Sequence, residues 1–157
     1  MSKIYRSNSY GNEVFIVDGM WRTGKSLLGP IIGSFHGVQK PKLDYNFEWI
    51  CVLNYLNSLS LNDSVFMLKM HSDLSTHNNY LSREMNFRPK DDTGIFRNPG
   101  ALKNLMGIFK SDKEAIQNDI LRDKPSLMIY THSVLQVAEP LITAFENRLK
   151  IMTVDRN

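Results

Sequence analysis

Gly19, Gly24, Lys25 and Ser26 fit the pattern G-x-x-x-x-G-K-[ST], and the chemistry of that pattern is anion binding. A strand-to-helix loop with this spacing points successive backbone N–H groups inward at a phosphate. Its glycines let the chain curl close, and the helix that follows adds the positive end of its dipole. The flanking residues agree: residues 13–18 are β-branched and aromatic enough for a buried parallel strand, and Leu27 and Leu28 open an apolar helix. Two more polar groups follow apolar runs, Thr131-His132-Ser133 and Asp155-Arg156. In an open parallel sheet the ligand lies beyond the carboxyl ends of the strands, so these three stretches are expected to converge. A kinase or nucleoside triphosphatase would use Lys25 and Ser26 and would also need a strand-end acid to help hold Mg²⁺. Asp155 is the candidate, but its neighbour Arg156 suits an anion rather than a metal, which weakens the magnesium reading.

The elements that must hold these groups are legible in outline. A helix over residues 24–35 follows the loop, short or kinked because Pro30 removes a backbone hydrogen bond and crowds the carbonyl of Ser26. After a basic turn at Lys40-Pro41-Lys42, Phe47, Ile50, Cys51 and Tyr55 recur at helical spacing and predict a helix over 43–59. Asn62 and Asp63 offer a cap for a helix over 65–74, with Phe66, Met67 and Met70 in the core. Residues 75–100 read as a long irregular excursion with one helical turn near 80–85, and 101–109 and 113–121 as two short amphipathic helices. Residues 127–131 form a second buried strand, 139–149 a helix with Pro140 in its first turn, and 150–154 a third strand. Strand, helix, strand makes these last two strands parallel.

Composition narrows the class. The chain has 157 residues, 42% hydrophobic and 22% charged, an ordinary globular mixture for one domain. Its net charge of +3 comes from scattered basic residues, so no nucleic-acid stripe is indicated, although the balance suits an anionic ligand. Cys51 is the only cysteine, which excludes an internal disulfide and favours a reducing compartment; its neighbours Trp49, Ile50, Val52 and Leu53 suggest a buried structural thiol. The N-terminus lacks the apolar core of a signal peptide, and no stretch reaches the roughly twenty apolar residues of a membrane span, so a cytoplasmic protein without a membrane partner is expected. His36, His71 and His77 show no metal-ligand spacing with one another or with Cys51, and no metal is expected.

Trp21-Arg-Thr-Gly-Lys-Ser-Leu-Leu28 resembles the sulfate-binding loop of the sulfotransferases, particularly the carbohydrate sulfotransferases. Tyr130-Thr-His-Ser133 is similar to the strand-end Thr-His or Ser-His of the cytosolic members, and Thr153-Val-Asp-Arg-Asn157 to the strand that delivers an arginine to the donor's 3′-phosphate. The separation 156 − 132 = 24 leaves room for one helix and one strand. The resemblance implies a P-loop NTPase-like three-layer α/β/α fold with a parallel sheet, a single domain over residues 1–157 with a helical and loop insertion at about 62–122. It implies 3′-phosphoadenosine 5′-phosphosulfate as donor and a hydroxyl of a saccharide or similar small molecule as acceptor. Arg22 would contact the sulfonyl group and bridging oxygen; Gly19, Thr23, Gly24, Lys25 and Ser26 would bind the 5′-phosphate, and Arg156 the 3′-phosphate. His132 would be the base, or else Glu48, since several members use a glutamate after the first helix. Lys25 departs from the family's usual Ser or Thr and keeps the kinase reading open; a catalytically silent anion-binding module is a third reading. The family's later serine, helix and adenine-covering loop would fall after Asn157, so the resemblance implies the N-terminal part of a longer protein or a truncated relative. Residues 75–100, with Tyr80, Arg83, Phe87 and Arg88, are where acceptor contacts are expected.

Overall fold

The computed structural model describes residues 9–83, 85–91, 94–97, 101–107, 109 and 114–156. Strand β1 (Val14–Asp18) leads through the glycine loop into helix α1 (Lys25–Ile32). Strand β2 (Lys42–Leu43), helices α2 (Asn46–Tyr55) and α3 (Leu61–Tyr80), and helices α4 (Ala101–Gly107) and α5 (Glu114–Asp123) follow. Strand β3 (Leu127–Thr131), helix α6 (Glu139–Phe145) and strand β4 (Leu149–Thr153) complete the order. The four strands form one parallel sheet in the order β2-β3-β1-β4. Val14 pairs with Leu127 on one side and Leu149 on the other, and Asp18 with Thr131 and Thr153, so three strands end level at the carboxyl edge.

Alternation along the buried strands divides the core between the faces. Val14, Ile16, Leu127 and Ile129 face Phe47, Ile50 and Cys51 of α2, Leu68 of α3, and Leu141, Ala144 and Phe145 of α6. Val17, Met128 and Tyr130 face the other way, onto Leu28 and Ile32 of α1. The chain is therefore α/β, with helices on both faces of a parallel sheet. The β1-to-β2 and β3-to-β4 connections run in opposite directions and use helices on opposite faces, as a single handedness of crossover requires. A fully buried side chain such as Phe47 contributes about 1.5–3 kcal/mol through the apolar area removed from water. Among the described residues, no helix is long and apolar enough to cross a membrane.

Several elements differ from the sequence expectation, each for a visible reason. Lys42 belongs to β2, which pairs with Ile129 and Tyr130, so the expected basic turn and the start of the helix at 43 give way to a two-residue edge strand. Such a strand has too few residues to show a period. Helix α3 is twice the expected length: it begins at a Ser60 cap, whose hydroxyl accepts from the Asp63 N–H, and continues to Tyr80. Its buried side is built from Ser64, Leu68, Ser72, Ser75 and Thr76, small hydroxyl residues that read as loop, while Met70 faces solvent. The turn expected near 80–85 is the end of this helix. Pro30 does sit inside α1, which stops at Ile32. The last helix is shorter than expected: α6 ends at Phe145, a 3₁₀ turn spans Glu146–Arg148, and Leu149 already belongs to β4.

Tyr80 also lies elsewhere than expected. Together with Leu81 it packs on Tyr10, which precedes β1, and on Ile116 and Ile120 of α5. That places it at the amino edge of the sheet, opposite the glycine loop. Residues 84, 92–93 and 98–100 of the excursion lie outside the described residues.

Candidate functional site

The loop between β1 and α1 needs glycine at both ends. A Cβ on Gly19 would stand 2.5 Å from the carbonyl oxygen of Val154, because the Val154 N–H donates to the Asp18 carbonyl at 2.9 Å and draws the end of β4 against the loop. Gly24 has φ +88°, a left-handed conformation, and its carbonyl accepts from the Leu27 N–H at 2.9 Å as α1 begins. Arg22 also has a positive φ of 64°, at a cost of about 1–2 kcal/mol for a residue with a Cβ. The Thr23 hydroxyl donates to the Met20 carbonyl at 2.9 Å and closes this turn. Left-handed residues alternating with others make a concavity of N–H groups suited to an anion.

Lys25 lies across the mouth of that concavity. Its Nζ donates to the Gly19 carbonyl at 2.6 Å and to the carbonyl of Thr131 at the end of β3. Burial lowers the ammonium's pKa from its ordinary value, and the carboxylates of Glu48 and Asp18 oppose that shift. The half-buried Ser26 and exposed Arg22 have no side-chain partner among the described residues, which leaves a hydroxyl and a guanidinium available at the loop.

The two residues considered as alternative bases are brought together. Glu48, in the first turn of α2, accepts from the backbone N–H of His132 and lies 3.2 Å from its Nδ1 through the same oxygen, Oε1. A carboxylate at Nδ1 assigns the proton to that nitrogen, so in the neutral ring the lone pair lies on Nε2, which has no hydrogen-bond partner among the described residues. Both side chains are about one-seventh exposed. Trp21, from the loop, stacks on the imidazole at 4.8 Å between centroids and Tyr45 at 5.7 Å, with Trp49 near-parallel to Tyr45 at 6.2 Å. Tyr45 and Trp49 are four positions apart at the start of α2, so both face the same way. The ring is thus fixed in plane by its carboxylate and in tilt by its aromatic neighbours.

Asp18 holds the strand end that carries His132. It is buried, and its Oδ1 accepts from the Thr131 hydroxyl at 2.8 Å and the Val134 N–H at 3.0 Å, while Oδ2 accepts from the Leu135 N–H at 3.2 Å. These bonds start the 3₁₀ turn Val134–Val137 and hold Ser133 at φ +63°, with its hydroxyl 2.9 Å from the Met20 sulfur. Sequence reasoning missed Asp18 and treated Asp155 as the only strand-end acid. The available signal was an acidic residue closing an apolar run one position before the first loop glycine. Its oxygens are engaged by three donors, unlike a carboxylate left open for a metal.

Arg156 lies two residues beyond Val154, whose carbonyl touches Gly19, and it is exposed with no partner among the described residues, as is Asp155. Cys51 is buried on α2 and its thiol is pushed up to about 12 by burial, which suits a packing role. A groove of about 300 Å³, lined in part by Tyr55, Leu135, Ile142 and Thr143, contains none of the loop residues and not His132. Neither a scan against protein-family models nor searches of curated proteins and solved structures finds a match to this chain.

Proposed function

We propose that the chain is a P-loop domain that binds the phosphates of a nucleotide and transfers a sulfonate group from 3′-phosphoadenosine 5′-phosphosulfate to a hydroxyl of a saccharide or similar acceptor. The observation that carries this reading is the convergence, at one sheet edge, of a glycine loop containing Lys25 and a carboxylate-oriented imidazole whose Nε2 has no hydrogen-bond partner among the described residues. The loop residues fit an anionic donor: Gly19 and Gly24 leave space that side chains would fill, and Arg22 and Arg156 are cations without protein partners among the described residues.

In this reading the loop N–H groups, Lys25 and Ser26 hold the 5′-phosphate, and Arg156 reaches the 3′-phosphate. His132 Nε2 accepts the acceptor's hydroxyl proton as that oxygen bonds to sulfur. The sulfur–oxygen bond to the 5′-phosphate breaks, and the electron pair leaves with the phosphate oxygen, where Lys25 and Arg22 stabilise the charge. Glu48 bonds the backbone N–H and the imidazole of His132 and is a positioning residue that also stabilises the imidazolium. In this reading His132 and Glu48 divide the labour, one as base and the other as its support. When bound, the donor supplies the activated sulfonyl group.

Lys25 followed by Ser26 favours a second reading, a magnesium-dependent small-molecule kinase. The engagement of Asp18 with three donors speaks against it, since the strand-end acid nearest the loop is not open to a metal. Calorimetric titration with adenosine 3′,5′-bisphosphate, against ATP with Mg²⁺, separates the two. Preference for the bisphosphate, reduced a few-fold in Arg156→Ala, is the expected outcome; preference for ATP with Mg²⁺ would move the protein to the kinases.

A further inference from the structure

The peptide unit joining Thr131 to His132 is held at both ends by charged groups. Its carbonyl accepts from Lys25 Nζ, and its N–H donates to Glu48 Oε1. Hydrogen bonds in a chain polarise one another: the N–H bound to a carboxylate makes its own carbonyl a better acceptor, and the carbonyl bound to an ammonium makes the N–H a better donor. The same ammonium also donates to Gly19 of the loop, and the loop's Trp21 lies on the imidazole that Glu48 orients. The phosphate loop and the His132–Glu48 pair therefore share one lysine, one peptide group and one aromatic contact.

The geometry points to a coupling in which a phosphate entering the loop draws Lys25 from the Thr131 carbonyl and thereby resets the His132–Glu48 pair, so that loop occupancy is sensed at the proton-accepting imidazole. This rests on the loop's binding an anion, and it goes beyond that reading because it makes the base and the loop energetically dependent. An anion gives the ammonium an oppositely charged partner in place of a neutral carbonyl, adding Coulomb attraction to the hydrogen bond. Released from Lys25, the peptide loses the polarisation that strengthened its N–H bond to Glu48, and the carboxylate shifts toward Nδ1. The coupling is reciprocal by linkage: weakening the grip of Glu48 on the peptide weakens the carbonyl's hold on Lys25 and frees that lysine for the anion.

Backbone amide NMR of the full chain during titration with pyrophosphate, repeated with adenosine 3′,5′-bisphosphate, tests this. The expected result is that the His132 amide moves with the same midpoint as the Gly24 amide. Glu48→Gln should bind pyrophosphate about five-fold more tightly and show no movement at His132. Titration of Gly24 without movement at His132, or unchanged affinity in Glu48→Gln, would overturn the coupling while leaving the phosphate loop intact. Absence of any shift at Gly24 would overturn the loop reading and the coupling together.

Discussion

Two carboxylate–histidine pairs among the described residues, Asp44–His71 and Glu48–His132, are built to opposite ends. Asp44, immediately after β2, has its Oδ2 at 2.8 Å from His71 Nε2, 3.1 Å from Lys42 Nζ and 3.3 Å from the Ser75 hydroxyl. Its Oδ1 accepts from the Asn46 N–H at 3.2 Å and the Asn46 side-chain amide at 3.0 Å. Burial pushes this carboxyl's pKa up, but the hydrogen bond and charge of His71, with Lys42, hold it well below the usual carboxylate range. His71 leans on Phe47. This is a tie: it anchors β2, caps the entry to α2 and fastens α3. Glu48, by contrast, uses one oxygen on His132, and the ring's other nitrogen points away from it, with Trp21 of the glycine loop stacked on the ring. The comparison teaches that function lies in what a carboxylate leaves free. Asp44 is saturated by five donors; Glu48 orients a ring and leaves that ring open.

The comparison is broken most directly by exchanging the two histidines' fates. His132→Ala should lower sulfonate transfer by about 10²–10⁴-fold, with bisphosphate affinity within a few-fold of wild type, because general-base catalysis carries factors of that size. His71→Ala should leave the rate constant unchanged at temperatures where the variant is folded; steady-state kinetics on both variants is the check. Next in size is Lys25→Met, which should weaken adenosine 3′,5′-bisphosphate binding about 10–100-fold, the loss of one charge-assisted hydrogen bond of about 1.5–3 kcal/mol, read by calorimetry. Asp44→Asn keeps the shape and removes the charge, and should cost about 2 kcal/mol in urea unfolding near neutral pH. The folded-state pKa of Asp44 is depressed, so its stabilisation is present in full above the unfolded value of about 3.9 and is lost as pH falls below that toward the folded value. The gap between wild type and Asp44→Asn should therefore narrow progressively from about pH 4 downward; a constant gap would show that the carboxylate's charge contributes nothing. The smallest effect is expected from exposed Arg156: Arg156→Ala should reduce bisphosphate affinity a few-fold and leave pyrophosphate affinity and stability unchanged.

Much of the site was legible because it is local. Gly19, Gly24, Lys25 and Ser26 announce their conformation within eight residues, and the apolar five-residue strand that closes at Thr131 places His132 just past a strand end. What could not be read was the meeting of Glu48 and His132, which are 84 positions apart and joined only by the way α2 packs beside β3. Nothing in either segment marks the other as a partner. Asp18 was overlooked for a related reason, since its role is defined by three donors from residues 131–135. The fold was legible where hydrophobicity is periodic, as in β1, β3 and α5. It was not in α3, whose buried stripe of Ser64, Ser72, Ser75 and Thr76 packs by being small, nor in β2, whose two residues join the sheet because Asp44 fixes the chain just beyond them.

Strand order also has a consequence for how the protein is made. β1 sits between β3 and β4, and Asp18 is 113 positions from the Thr131 it bonds. On a ribosome, β1 has neither neighbour until β3 and β4 have been synthesised, so its apolar residues wait unpaired while the 113 positions from Asp18 to Thr131 are added. Parallel pairing over such separations is slow to nucleate and exposes aggregation-prone strand edges in the interval. Chaperone dependence during synthesis, and refolding yields that fall with protein concentration, are the behaviour this connectivity implies.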